Sequence, residues 1–157
     1  MLRISIVTAC LNAESHIECT LQSVLGQDYP ALEYIIKDGC STDGTMEKIN
    51  PFQDKLHSLE SKSDGGQYIA ILQGLNESRG EIMGWINADD QYFPGSLSLV
   101  NQVFTQFPEV EWVVGVPSFL NVEGHITKVS TNSASAYYQT YIKEGYYREH
   151  LAGYLQQ

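Results

Sequence analysis

Residues 4–10 read ISIVTAC, seven positions without a charge and rich in β-branched side chains. A run of that length and composition predicts a strand buried on both faces, the hallmark of a parallel sheet flanked by helices. The next hundred residues support the same reading. Asn12 or Ser15 can cap a helix whose apolar stripe is Ile17, Leu21, Val24 and Leu25, ending near Gly26. Leu32–Lys37 (LEYIIK) is a second strand, closed by the loop DGCSTDGT, and Thr42 or Thr45 opens a second helix limited by Pro51. HSLESKS is a weaker third strand, ending in Asp64-Gly65-Gly66. Tyr68, Ala70, Ile71, Leu72 and Leu75 mark a third helix. EIMGWI is the fourth strand, and Pro94 suits the first position of a fourth helix carrying Leu97, Leu99, Val100, Val103 and Phe104. Residues 111–129 read as a strand or hairpin turning at Glu123-Gly124, after which a Tyr-rich stretch gives no clear period.

The alternation of strand and helix predicts an α/β fold, a three-layer α/β/α sandwich around a mostly parallel central sheet. No repeat or linker divides the 157 residues, so one domain is expected. In such sheets ligands bind beyond the carboxyl ends of the strands. The polar clusters fall at those ends: Asn12 after strand one, Asp38 to Asp43 after strand two, Asp64 after strand three, Asp89-Asp90 after strand four.

Composition narrows the ligand. Nine basic against nineteen acidic residues give a formal charge of −10, which argues against nucleic acid as a partner. A phosphate ester in so acidic a field needs a cation or backbone amides to offset its charge. The apolar runs ISIVTACL and EWVVGVPSFL are too short to cross a bilayer, and MLRISIV carries no signal-peptide cleavage site. Cys10, Cys19 and Cys40 imply neither a disulfide framework nor a zinc site, and a reducing cytoplasm is the expected compartment. His16, His57, His125 and His150 lack metal-ligand spacing and read as surface or capping residues. TACLNAES, after the first strand, contains no dinucleotide or P-loop glycine motif, and no nucleophile elbow is present. A carboxylate-lined edge remains. Asp89-Asp90 either cap the turn next to them or bind a hard divalent cation, which takes oxygen ligands. Asp38 either nucleates a turn with Gly39 or accepts hydrogen bonds from a ligand.

Four blocks, SIVTACLN, EYIIKDGCSTDGT, SDGGQYIA and GEIMGWINADD, taken in that order and spacing over about residues 4–97, resemble the inverting family 2 glycosyltransferases. That resemblance implies a GT-A fold and transfer of a sugar from a nucleotide-diphosphate sugar, with a UDP-sugar as donor and a saccharide or lipid-linked hydroxyl as acceptor. It implies that Thr8, Ala9, Asn12 and Glu14 lie at the nucleotide pocket and that Asp38 receives the base. Ser41 and Asp43 belong to the adjoining loop, and Asp64 and Gly65 to the donor side. Asn87-Ala88-Asp89 occupies the D-x-D position, with Asp89 and secondarily Asp90 as ligands of Mn²⁺ or Mg²⁺. Two positions depart from the family pattern: Leu11 stands where many members have an aromatic residue, and Asn87 replaces the first carboxylate. The resemblance further implies a nucleotide-sugar-binding half over about residues 1–120 and the start of an acceptor half over 121–157. The general base and any membrane contact, at the inner face of the membrane, are then expected beyond Gln157. Competing readings are a nucleotidyltransferase, which needs a Gly-rich basic loop after strand one, and a non-catalytic nucleotide-sugar or protein-binding module.

Overall fold

The structure is a computed structural model that describes residues 1–116, 118–121, 123–129 and 140–144. Its elements run β1 (Ile4–Cys10), α1 (Ile17–Leu25), β2 (Leu32–Asp38), α2 (Thr45–Ile49), a 3₁₀ turn (Asn50–Lys55), β3 (Ser58–Ser61), α3 (Gln67–Glu77), β4 (Ile82–Trp85) and α4 (Ser96–Gln106). Four further strands complete the order, β5 (Trp112–Val114), β6 (Ser118–Leu120), β7 (Ile126–Val129) and β8 (Thr140–Lys143). Six strands form one sheet in the order β3-β2-β1-β4-β8-β5, while β6 and β7 pair separately. β1 runs parallel to β2 and β4, and β2 to β3; β8 is antiparallel to both of its neighbours. The expected mostly parallel α/β sheet is therefore what the chain forms.

All seven residues of β1 are buried, because successive side chains point to opposite faces and both faces are covered. Ile4, Ile6 and Cys10 face a core shared with Ile17 and Leu21 of α1, Ile49 of α2, and Leu97 and Phe104 of α4. Val7 and Ala9 face the other layer, where Ala70, Ile71 and Leu75 of α3 cover them. Each Ile fully removed from water stabilises the fold by about 2 kcal/mol. The α3 layer lies so near the sheet that a Cβ on Gly74 would stand 2.5 Å from Val7 Cγ1. Only a residue without a side chain permits that approach.

Several expectations need correction. Neither Asn12 nor Ser15 caps α1; His16 occupies the cap position, with no side-chain cap hydrogen bond. Asn12 has a positive φ of 51°, and its Oδ1 accepts from the Thr42 amide at 2.9 Å instead. α4 begins at Ser96 and not at Pro94, because Gly95 takes the left-handed conformation with φ 81° and delays the start of the helix. Tyr68 is 63% exposed, so it marks α3 without belonging to its core. The segment from 111 to 129 divides: β5 joins the main sheet, and β6–β7 form a hairpin with Gly124 in its turn at φ 81°. Glu144 comes directly after β8, and its amide donates to the Glu81 carbonyl at 3.1 Å. His150, read with the other histidines as a surface or capping residue, lies outside the described residues.

Candidate functional site

The chain leaves β1 toward β2 on one side, and β4 lies on the other, so the strand order reverses between β1 and β4. Such a switch point leaves a crevice at the carboxyl ends, since the two loops leaving these strands diverge. A cleft of about 570 Å³ opens there. Ala9, Leu11 and Asn12 line it from β1 and its loop, Asp64 and Tyr68 from the start of α3, and Asn87, Ala88 and Asp89 from the end of β4.

Six of the residues assigned from sequence thus come together: Ala9, Asn12, Asp64, Asn87, Ala88 and Asp89. The others are not among the residues that line the cleft. Thr8 is fully buried, its hydroxyl hydrogen bonded to Tyr34 Oη at 3.0 Å. Asp38 is buried and already engaged: it accepts from the Ser41 amide at 3.1 Å, from the Ser41 and Ser61 hydroxyls, and from the Cys10 thiol at 3.7 Å. Burial, with the Asp38 charge next, pushes the Cys10 thiol up to about 12, so it stays protonated.

Glu14, Ser41 and Asp43 stitch the loop after β1 to the loop after β2. Asn12 donates its amide to Ser41 Oγ at 2.8 Å, Ala13 to Thr45 Oγ1 at 2.8 Å, and Gly44 to Glu14 Oε2 at 3.1 Å. Asp43 accepts from the Glu14 amide at 3.2 Å and the Thr45 amide at 3.0 Å. The Thr45 hydroxyl above all holds the Asp43 carboxyl below the usual carboxylate range. Gly65, with φ 79°, turns the chain into α3; Gly66 next to it donates its amide to Asp64 Oδ1 at 2.8 Å.

The turn after β4 sorts the two neighbouring carboxylates. Asp90 Oδ2 accepts from Asn87 Nδ2 at 2.9 Å and does not line the cleft. Its half-buried carboxyl is pushed above the usual range by burial and by the Asp89 charge, against the pull of the Asn87 hydrogen bond. Asp89 is exposed and lines the cleft. Among the described residues no group of three or more His, Cys, Asp or Glu side chains is placed to hold a metal ion. A cation bound through a diphosphate needs only one or two protein carboxylates, the remaining oxygens coming from phosphate and water. Asp89 fits that requirement, and among the described residues no Lys or Arg lines the cleft to serve in its place.

Among the lining residues that sequence reasoning missed are His16, Gln67, Tyr68 and Trp85. Tyr68 and Gln67 had one available signal. Both sit in the first turn of a helix that begins after a glycine pair at a strand end, a position that faces the crevice in any switch-point fold.

Fold and cleft together define a Rossmann-like α/β protein of the GT-A type. Among solved structures, Staphylococcus aureus TarS 1–349 in complex with UDP-GlcNAc superposes with a TM-score of 0.62 at 23% identity, covering 71% of this chain and 33% of that one. The mannosyltransferase PcManGT of Pyrobaculum calidifontis, in complex with GDP-Man and Mn²⁺, gives 0.63 at 24% identity, covering 76% and 36%. Likeness at that identity speaks for the fold alone. In sequence, the chain is 32% identical over 92 residues to TuaG of Bacillus subtilis strain 168, whose name places it provisionally in teichuronic acid biosynthesis. That match covers 57% of this chain and 36% of TuaG, so the chain spans only about a third of such a relative. The family model described as Glycosyl transferase family 2 matches residues 5–154, and the chain belongs to that family. Among the described residues no helix is long and apolar enough to cross a membrane.

Proposed function

We propose that this chain binds the donor of a glycosyl transfer: a nucleoside-diphosphate sugar, with uridine as the nucleoside, held with a divalent cation at Asp89. One observation carries the reading. Among the described residues, the cleft at the sheet's switch point presents the carboxylates of Asp64 and Asp89 and no Lys or Arg. A bare diphosphate is repelled by such a lining, whereas a diphosphate carrying Mn²⁺ or Mg²⁺ is attracted to it. The names of the structural neighbours support the donor class, since one is complexed with UDP-GlcNAc and the other with GDP-Man and Mn²⁺.

In this reading the acceptor, a saccharide or lipid-linked hydroxyl, attacks the sugar's anomeric carbon from the face opposite the diphosphate. The bond to the diphosphate oxygen breaks as the new one forms, which inverts the centre. A base takes the hydroxyl proton. Bound cation supplies neutralisation of the charge that develops on the departing diphosphate. Asp89 holds the diphosphate end of the donor, and Asn12 and Asp64 flank its path. Glu14, Ser41 and Asp43 fix the loops around the nucleoside without facing it. Asp38 organises the same loops, and to receive the base it must release one of its serine donors. Both carboxylates in the cleft serve the donor, so the base is assigned to neither. The reading concerns the donor part of a longer enzyme, in keeping with the third of TuaG that the match covers.

Thermal melting with UDP, Mn²⁺ and the two together tests this. Together at about a hundred-fold excess over Kd they raise the melting temperature by roughly 5–10 °C, more than the sum of either alone. A melting temperature unmoved by any of the three additions in a folded sample refutes donor binding.

A further inference from the structure

The turn after β4 is held from both helical layers. From α1, Thr20 Oγ1 donates to the carbonyls of Ala88 and Asp90, each at 2.8 Å. From the first residue of α3, Gln67 Nε2 donates to Asn87 Oδ1 at 3.0 Å. Asn87 Nδ2 passes the chain on to Asp90 Oδ2 at 2.9 Å, and the Asp90 amide closes the turn on the Asn87 carbonyl at 3.2 Å. Position 87 therefore has to accept on one side and donate on the other. An amide does both, and a carboxylate cannot. Turned over, that amide would set its oxygen against the Asp90 carboxylate, so the charge of Asp90 fixes its orientation. An aspartate at 87 could still accept from Gln67, but it would meet Asp90 as a like charge.

We propose that Gln67 and Asn87 are positioning residues: their hydrogen-bond chain ties Asp90 back into the turn and leaves Asp89 as the carboxylate offered to a cation-bound nucleoside diphosphate. The inference rests on the proposed donor binding. It gives Asn87 a reason that the family's motif does not, since the residue is required as a two-sided amide and not as a weakened metal ligand. It also predicts that restoring the carboxylate at 87 harms the site.

UDP titrations with and without Mn²⁺, followed calorimetrically on the full chain, test it. The parent must show Mn²⁺-dependent UDP binding; its absence overturns the donor reading and this inference with it. Given that binding, Asn87→Asp lowers the UDP affinity in Mn²⁺ about ten-fold and leaves metal-free affinity within about two-fold. The paired change Asn87→Asp with Asp90→Asn restores both hydrogen bonds with the charge exchanged, and recovers the affinity to within about three-fold of the parent. Gln67→Ala is the gentler probe, should Asn87→Asp not fold: it lowers the Mn²⁺-dependent affinity about three-fold and leaves the metal-free value alone. Tighter UDP binding by Asn87→Asp in Mn²⁺ overturns the inference, because it makes position 87 a ligand site. So does an equal loss with and without metal in Gln67→Ala, which makes Gln67 a direct contact of the nucleotide. Failure of the paired change to recover affinity overturns it as well, by making Asp90 a ligand in its own right.

Discussion

The two ends of the same sheet bury acidic side chains for different purposes. At the amino-terminal ends of the strands, Glu33 of β2 is 5% exposed and has every oxygen occupied. Ser5 donates its hydroxyl to Oε2, the Arg79 amide donates to the same oxygen at 2.7 Å, and His57 Nε2 lies 3.0 Å from Oε1. Ser5 Oγ in turn accepts from the Gly80 amide at 2.8 Å, so the cluster joins β1, β2, β3 and the start of β4. At the carboxyl-terminal ends, Asp38 is as deeply buried and as fully satisfied, while Asp89 stands exposed in the cleft. Burial of an acid alone thus does not separate the site end of the sheet from the other end. An acid that keeps open coordination where the loops part is the better sign.

That contrast can be broken at either end. The largest effect is expected from Glu33→Ala, which leaves the Arg79 amide and Ser5 hydroxyl short of an acceptor within the core. It costs about 3 kcal/mol in urea unfolding. UDP affinity of the folded fraction stays unchanged, and a change there would mean that the two ends are not separable. Asp89→Ala has the opposite profile. Stability moves by no more than about 0.5 kcal/mol, as for other exposed sites. The Mn²⁺-dependent part of UDP binding falls ten-fold or more, and unaltered titration curves would remove Asp89 from the site. The smallest effect belongs to Asp43. Its carboxyl titrates below the ordinary range when folded, so its contribution is present above the unfolded value and is lost as pH falls through the folded one. Asp43→Asn therefore lowers the melting temperature slightly at neutral pH, and parent and variant converge as pH falls below the ordinary carboxylate range.

Much of the fold is legible in the sequence because it depends on local pattern. The β-branched runs of β1 and β2, the short apolar run of β4 and the helical stripes of α1 and α4 each declare themselves within a few residues. The polar strand ends are a consequence of the sheet type, which is why Asn12, Asp64, Asn87 and Asp89 can be grouped before any coordinates are known. β8 is not legible. Its four residues, TYIK, sit in a polar, Tyr-rich stretch, and the strand exists because β4 and β5 both pair with it. The division of labour between Asp89 and Asp90 is equally hidden, since it depends on Gln67, twenty residues upstream of Asn87 in the chain and hydrogen bonded to it in the fold. Pro94 misleads for a simpler reason: a left-handed glycine beside it outweighs its preference for a first helical turn.

The placement of β8 also sets an order of assembly. Every described residue that lines the cleft has been synthesised by Asp89, yet β4 gains its second neighbour only when Thr140–Lys143 arrives, and β5 joins the sheet only then. Until Thr140–Lys143 has paired, the backbone of Ile82–Trp85 is an edge of the sheet β3-β2-β1-β4. Strand edges of that kind recruit other strands, so a chain in which β8 has not docked is more open to aggregation than the complete sheet.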